Sequence, residues 1–111
     1  MSGQRIIINI PARVFPEIAE HIEDEYARKV DQTGAEYALD LGSVNNVYSA
    51  VLNLIMRLAK EIAALGGTIA LINVSDRVKT VLHTMKVDTL IPIYDTLFDY
   101  EFEHDAAAMT I

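Results

Sequence analysis

The chain contains no cysteine. Disulfides, thiolate nucleophiles and thiolate metal sites are therefore excluded together, and the composition suits a reducing compartment such as the cytoplasm. Positive charge is also scarce. Nine Lys and Arg stand against sixteen Asp and Glu, a net charge of −7. That balance argues against nucleic acid or an anionic membrane as the main partner, because both require clustered cations. No apolar run approaches the roughly 18 residues that cross a bilayer. Ile6-Ile7-Ile8, close behind Met1-Ser2-Gly3, is too short for the apolar centre of a signal peptide. Linkers and internal repeats are missing, and the only low-complexity stretch is the Ala106-Ala107-Ala108 tail. With 111 residues, 51% hydrophobic and 23% charged, the chain is expected to form one domain over residues 1–111 with a core of its own.

Several chemical signatures are absent as well. His21, His83 and His104 fall on three different predicted helices without paired ligand spacing, so no metal site is expected. Ser49 lies between Tyr48 and Ala50-Val51, not in the Gly-x-Ser-x-Gly elbow of a hydrolase. Gly42-Ser43 and Gly66-Gly67 have neither Walker nor dinucleotide-binding spacing. Asp88-Thr89 and Asp95-Thr96 are explained more cheaply as helix caps than as acidic catalysts, and Met56 and Met85 as core residues. No cofactor is expected, and an enzyme or small-molecule binder would need a pocket of convergent polar groups that the sequence does not reveal.

What is present is regular alternation. Arg5 to Ile10 is β-branched and ends at Pro11, which predicts a strand. Pro16 suits a first helical position, and Ile18, Ile22, Tyr26 and Val30 then recur every fourth residue along an acidic amphipathic helix. Gln32-Thr33-Gly34 breaks it, and Glu36 to Leu41 reads as a second strand. Ser49 opens a long helix with a wide apolar face, including Val51, Ile55, Leu58 and Ile62, which Gly66-Gly67 terminates. Thr68 to Val74 reads as a central strand covered on both faces. Ser75-Asp76 starts a third helix, Leu90 to Tyr94 reads as a fourth strand carrying Pro92, and Thr96 with Asp99 resembles a capping box before a last helix. The expected fold is α/β: a mostly parallel four-stranded sheet with about four helices.

Ser49 is the residue of most interest. A hydroxyl where a strand-to-helix loop becomes helix sits among unpaired N–H groups at the positive end of the helix dipole, which favour an anion. It can cap the helix or carry a phosphate. A cap would make Ser49→Ala cost about 1 kcal/mol. A phosphate would add nearly two negative charges and repel an acidic or apolar partner face.

From about Ala38 onward the sequence resembles the STAS domain, the fold of bacterial anti-sigma factor antagonists. The resemblance lies in Leu39-Asp40-Leu41 leading to a serine at a helix start, in Gly66-Gly67, in Asn73-Val74-Ser75 with Arg77-Val78 and Val81-Leu82, and in Val87 to Leu97. Where the family commonly reads Asp-Ser-Ser-Gly-Leu, this chain has Tyr48-Ser49-Ala50-Val51-Leu52. Lys86 stands where the family favours glycine, and one N-terminal strand replaces a hairpin. The resemblance implies a non-enzymatic regulator that works by partner switching: the unmodified form binds a kinase-type anti-sigma factor, and phosphorylation of the matching serine, Ser49, releases it. Asn45, Asn46 and Tyr48 in the loop, with Asn53 and Arg57 one and two turns along the helix, are the expected partner-binding residues. The alternative is a STAS-like scaffolding subunit that self-associates, as a homodimer for instance, with Ser49 only a cap.

Overall fold

The β-branched run predicted near the N-terminus is a strand, β1 (Arg5–Asn9). The computed structural model describes residues 4–109, with side chains through residue 105. Met1-Ser2-Gly3 and the side chains of the Ala106-Ala107-Ala108 tail lie outside the described residues. Pro16 opens a 3-10 turn (Pro16–Ile18) that leads into α1 (Ala19–Ala27). There follow β2 (Glu36–Asp40), α2 (Ser49–Ala64), β3 (Thr68–Ile72), α3 (Asp76–Thr84), a second 3-10 turn (Val87–Thr89) and α4 (Leu97–Met109). Two of the predicted caps are in place. The Ser75 hydroxyl accepts the Val78 N–H at 3.3 Å, and the Thr96 hydroxyl accepts the Asp99 N–H at 3.0 Å, each satisfying an orphan donor of the first turn.

The sheet is parallel, in the order β1-β2-β3, with Ile8 opposite Leu39 and Leu39 opposite Leu71. Side chains alternate between faces. Ile8, Ile10, Tyr37, Leu39 and Leu71 join Val51, Leu54, Ile55, Leu58 and Ile62 of α2 in the main core, with Val78 and Leu82 of α3. On the other face Ala38, Ala70 and Ile72 meet Tyr100 of α4. The small alanines let α4 lie close to the sheet.

The structure corrects three expectations. The sheet has three strands, not four. Among the described residues Leu90 to Tyr94 joins it through one bridge, Ile93 to Leu71. Pro92 has no N–H to give a ladder, the Leu90 and Ile91 amides both turn back to the Val87 carbonyl at 2.9 Å, and β3 ends where Asn73 adopts φ +57°. The central strand is consequently β2, not β3. Met85, expected in the core, is exposed, whereas Leu54, which falls between the expected apolar positions of α2, is fully buried.

Lys86, at φ +62°, has the left-handed conformation that makes glycine the favoured residue there. A side chain with a Cβ is strained at this angle by about 1–2 kcal/mol. Lys86→Gly is therefore expected to raise stability by roughly 0.5–1 kcal/mol, the net after glycine's greater unfolded-state entropy, read as a higher urea midpoint with an unchanged slope. Just before it, His83 Nδ1 lies 2.6 Å from Asp88 Oδ2. The hydrogen bond to Asp88, then its charge, raises the imidazole pKa above the ordinary 6.5. The pair's contribution is thus complete below pH 6.5 and is lost as pH rises through the raised folded value. NMR titration is expected to place His83 above 6.5, and Asp88→Asn to return it toward that value.

Candidate functional site

In a parallel sheet every strand ends at the same rim, so the segments leaving β1, β2 and β3 meet there. The β2 exit is shaped by Asp40, whose Oδ1 accepts the Gly42 N–H at 2.8 Å. A Cβ on Gly42 would stand 3.0 Å from that oxygen and 3.8 Å from Asn73 Cβ, so the loop runs tightly past the end of β3. Val44 is buried and its amide bonds the Leu41 carbonyl at 3.0 Å. This anchor leaves Asn45, Asn46 and Tyr48 outside, all exposed.

Tyr48, extended at φ −75°, ψ 155°, is the N-cap of α2, and its carbonyl accepts the Leu52 N–H at 2.9 Å. Ser49 is the first helical residue, not the cap, and α2 has no side-chain capping bond. The reading of Ser49 as a helix cap is corrected accordingly, and with it the expected cost of removing the hydroxyl. The first turn of α2 also carries no acidic residue, although the chain has sixteen. Ser49 is exposed, at a helix start whose N–H groups have no side-chain acceptor. The dipole there is uncompensated.

The segment after β1 supplies what the sequence reading missed. Arg13 lies between two aromatic rings, its guanidinium 5.4 Å from the Tyr48 centroid and 5.5 Å from that of Phe15. Such contacts contribute about 0.5–1 kcal/mol each at exposed sites. Phe15 is 55% and Tyr48 46% exposed. Two open grooves share Arg13 and Tyr48: one of about 190 Å³ reaches Asn45 and Asn46, and one of about 310 Å³ reaches Phe15 and Ser49. Among the described residues no carboxylate pairs with Arg13. A signal existed in the sequence: Pro11 and Pro16 bracket a short extended stretch holding one Arg and one Phe.

The two residues expected further along α2 separate. Asn53 is exposed, one turn beyond Ser49 on the same stripe. The guanidinium of Arg57 is taken up within the chain, by Glu61 at 3.1 Å, Asp24 at 3.2 Å and Glu23 at 3.7 Å. It fastens α2 to α1. His21, His83 and His104 lie on three different helices, α1, α3 and α4; His83 is bound to Asp88, and His104 Nδ1 lies 2.9 Å from the Tyr100 carbonyl.

An exposed hydroxyl, uncompensated amides, one arginine and two aromatic rings make a surface suited to a protein partner or an anion. The fold around it has known counterparts. A STAS domain protein from Planctomyces limnophilus, described as an anti-sigma-factor antagonist, superposes with a TM-score of 0.70 at 25% identity over 85% of each chain. A sulfate transporter family protein from Wolinella succinogenes has the same fold, with a TM-score of 0.75 over 96% of this chain and 88% of that one, at 15% identity. In sequence, a Thermotoga neapolitana protein named as a TM1081-homologous anti-sigma factor antagonist is 34% identical over 59 residues, 53% of this chain and 52% of that protein. The chain thus matches about half the length of this relative. The family model of the STAS domain matches residues 2–99, and with that match across nearly the whole sequence the chain belongs to the STAS domain family.

Proposed function

We propose that this protein is a non-enzymatic cytoplasmic regulator that binds a protein partner through the loop at Asn45, Asn46 and Tyr48 and the first turns of α2, and that phosphorylation of Ser49 releases the partner. Asn53 extends the contact along the helix, and Arg13 and Phe15 complete it from the β1 exit. The partner class is a kinase-type anti-sigma factor, in keeping with the anti-sigma factor antagonists among its relatives.

One observation carries the reading. Ser49 is exposed at the first position of the longest helix, where neither a cap nor an acidic side chain answers the dipole. A phosphate there meets free N–H groups and the nearby Arg13, so the modified form is well accommodated by its own chain. The same phosphate places up to two negative charges in the centre of the contact surface. Modification therefore acts on the complex and spares the fold.

The test is capture of partners on unmodified protein, with mass spectrometry for a phosphopeptide containing Ser49. Expected are a captured kinase-type protein and phosphate on Ser49 in the uncaptured fraction. If Ser49→Asp and Ser49→Ala hold every captured partner equally well, the switch does not exist.

A further inference from the structure

Among the described residues the outer edge of β1 is unpaired, and its geometry fits a second copy of the same strand. β1 ends the sheet order. Its bonds to β2 come from even-numbered residues: Gln4 accepts the Glu36 N–H at 2.8 Å, and Ile10 donates to the Asp40 carbonyl at 3.0 Å. Because bonding direction alternates along a strand, Arg5, Ile7 and Asn9 turn both N–H and C=O outward. A groove of about 410 Å³ runs along this edge, lined by Ile6, Ile7, Ile8, Asn9, Tyr26 and Lys29. An open, flat, apolar edge is a template for strand pairing.

We infer that the protein forms a twofold dimer by antiparallel pairing of β1 with β1 of a second copy, centred on Ile7, which extends the sheet across both chains. Of the registers that put an outward-facing residue on the axis, the side chains favour this one. Centred on Ile7, Arg5 faces Asn9 of the other copy, and both outward groups of all three residues find partners. Centred on Arg5, two guanidiniums would oppose each other. Centred on Asn9, Ile7 would face Pro11, which has no N–H to give.

The α4 side of the sheet fits the same axis. Arg5 and Ile7 point to that face, and Arg5 is held there by Glu36 at 2.9 Å and Asp105 at 3.3 Å. Its charge is already compensated. Phe98, Phe102 and Asp105 lie at i, i+4 and i+7, one stripe of α4, so the two phenylalanines share the flank that reaches β1. Their rings are 6.0 Å apart and are 70% and 65% exposed, with Ile7 44% exposed. At roughly 200 Å² per aromatic side chain, the three leave on the order of 300 Å² of apolar surface on each protomer. That is over a third of the roughly 800 Å² each partner buries in a stable complex, before the strand edge is added. A twofold axis normal to the sheet puts both α4 stripes on one face, looking at each other across the Ile7 pair.

Sedimentation velocity on the whole chain tests this, with Ile7→Lys and a Phe98→Ser/Phe102→Ser double variant, each checked for folding by circular dichroism. A concentration-dependent dimer is expected, strengthened by salt because two chains of net charge −7 repel. Either variant is expected to weaken it at least tenfold, and Ser49→Asp to leave it unchanged. Since the chain has no cysteine, Ile7→Cys is expected to be cross-linked across the axis by a short bismaleimide, which spans the wide Cβ separation of a hydrogen-bonded pair, while Ser43→Cys is not. A wild-type monomer up to about 1 mM, a dimer indifferent to both variants, or cross-linking at Ser43→Cys but not at Ile7→Cys would each overturn the proposal. A monomer whose β1 amides become protected only on adding an extended peptide would overturn it too, assigning the edge to a different occupant.

Discussion

Ser49→Asp is expected to weaken the partner complex at least about 30-fold while making the isolated protein slightly more stable. These two effects have one electrostatic origin. At the first position of α2 a carboxylate meets N–H groups that have no other side-chain acceptor, and such a charge stabilises a helix by about 0.3–1 kcal/mol. In the proposed complex the same charge would press against a surface matched to a neutral hydroxyl. Juxtaposition of like charges, or an unpaired charge in an apolar contact, costs several kcal/mol, and 2 kcal/mol is already about 30-fold in Kd. Ser49→Ala is expected to retain the partner and to change stability by less than about 0.5 kcal/mol, because no capping bond is lost. Urea unfolding and calorimetric titration of the captured partner against the three proteins read both quantities. A stability loss in Ser49→Asp that accounts for the loss of binding would leave the switch without support.

Gly67→Ala is expected to cost about 2–4 kcal/mol, about twice the cost of the same change one residue earlier. The two glycines end α2 for different reasons. Gly66, at φ +70°, has open space where a Cβ would go, so alanine there suffers only the left-handed strain of about 1–2 kcal/mol. A Cβ on Gly67 would stand 2.6 Å from the Ala35 carbonyl oxygen and 3.1 Å from Ile62 Cγ2. That carbonyl accepts the Thr68 N–H at 3.0 Å, a bond that joins the lead-in to β2 to the start of β3. Backbone cannot yield there without loosening the sheet. The amides of both glycines close the helix, Gly66 onto Ala63 and Gly67 onto Ile62, each at 3.0 Å, which is the Schellman arrangement. Denaturant midpoints of the two variants should separate clearly. Equal costs would mean that the carbonyl contact is relieved by a shift of α2.

Much of this was legible in local sequence. Strand and helix positions follow from hydrophobic period and from residues that start or stop an element: Pro16, Ser75, Thr96 and the Gly66-Gly67 pair act within a few bonds of themselves. The fourth strand was misread because an apolar stretch has the composition of a strand whether or not its amides are free. At Leu90 and Ile91 a tight turn had already claimed the amides and Pro92 has none, which leaves the Tyr94 N–H to meet β3 at the Leu71 carbonyl. Of the candidate site, Ser49, Tyr48 and the two asparagines could be placed from the chain alone, since a loop before a helix is a local event. Arg13 and Phe15 could not, because their meeting with Tyr48 joins segments far apart in sequence. Nor could the tie of Arg57 to α1, because its carboxylate partners Glu23 and Asp24 come from that helix.

By itself the order of residues determined the alternation of strands and helices, the parallel sheet that such alternation compels, and the serine at a helix start. Only the packed structure decided that this hydroxyl caps nothing, that one arginine stands beside it, and that β1 is left with an open edge. The physical reason is range. Backbone conformation answers to neighbours a few residues away, whereas exposure, charge pairing and strand neighbours are properties of space, set when distant segments meet.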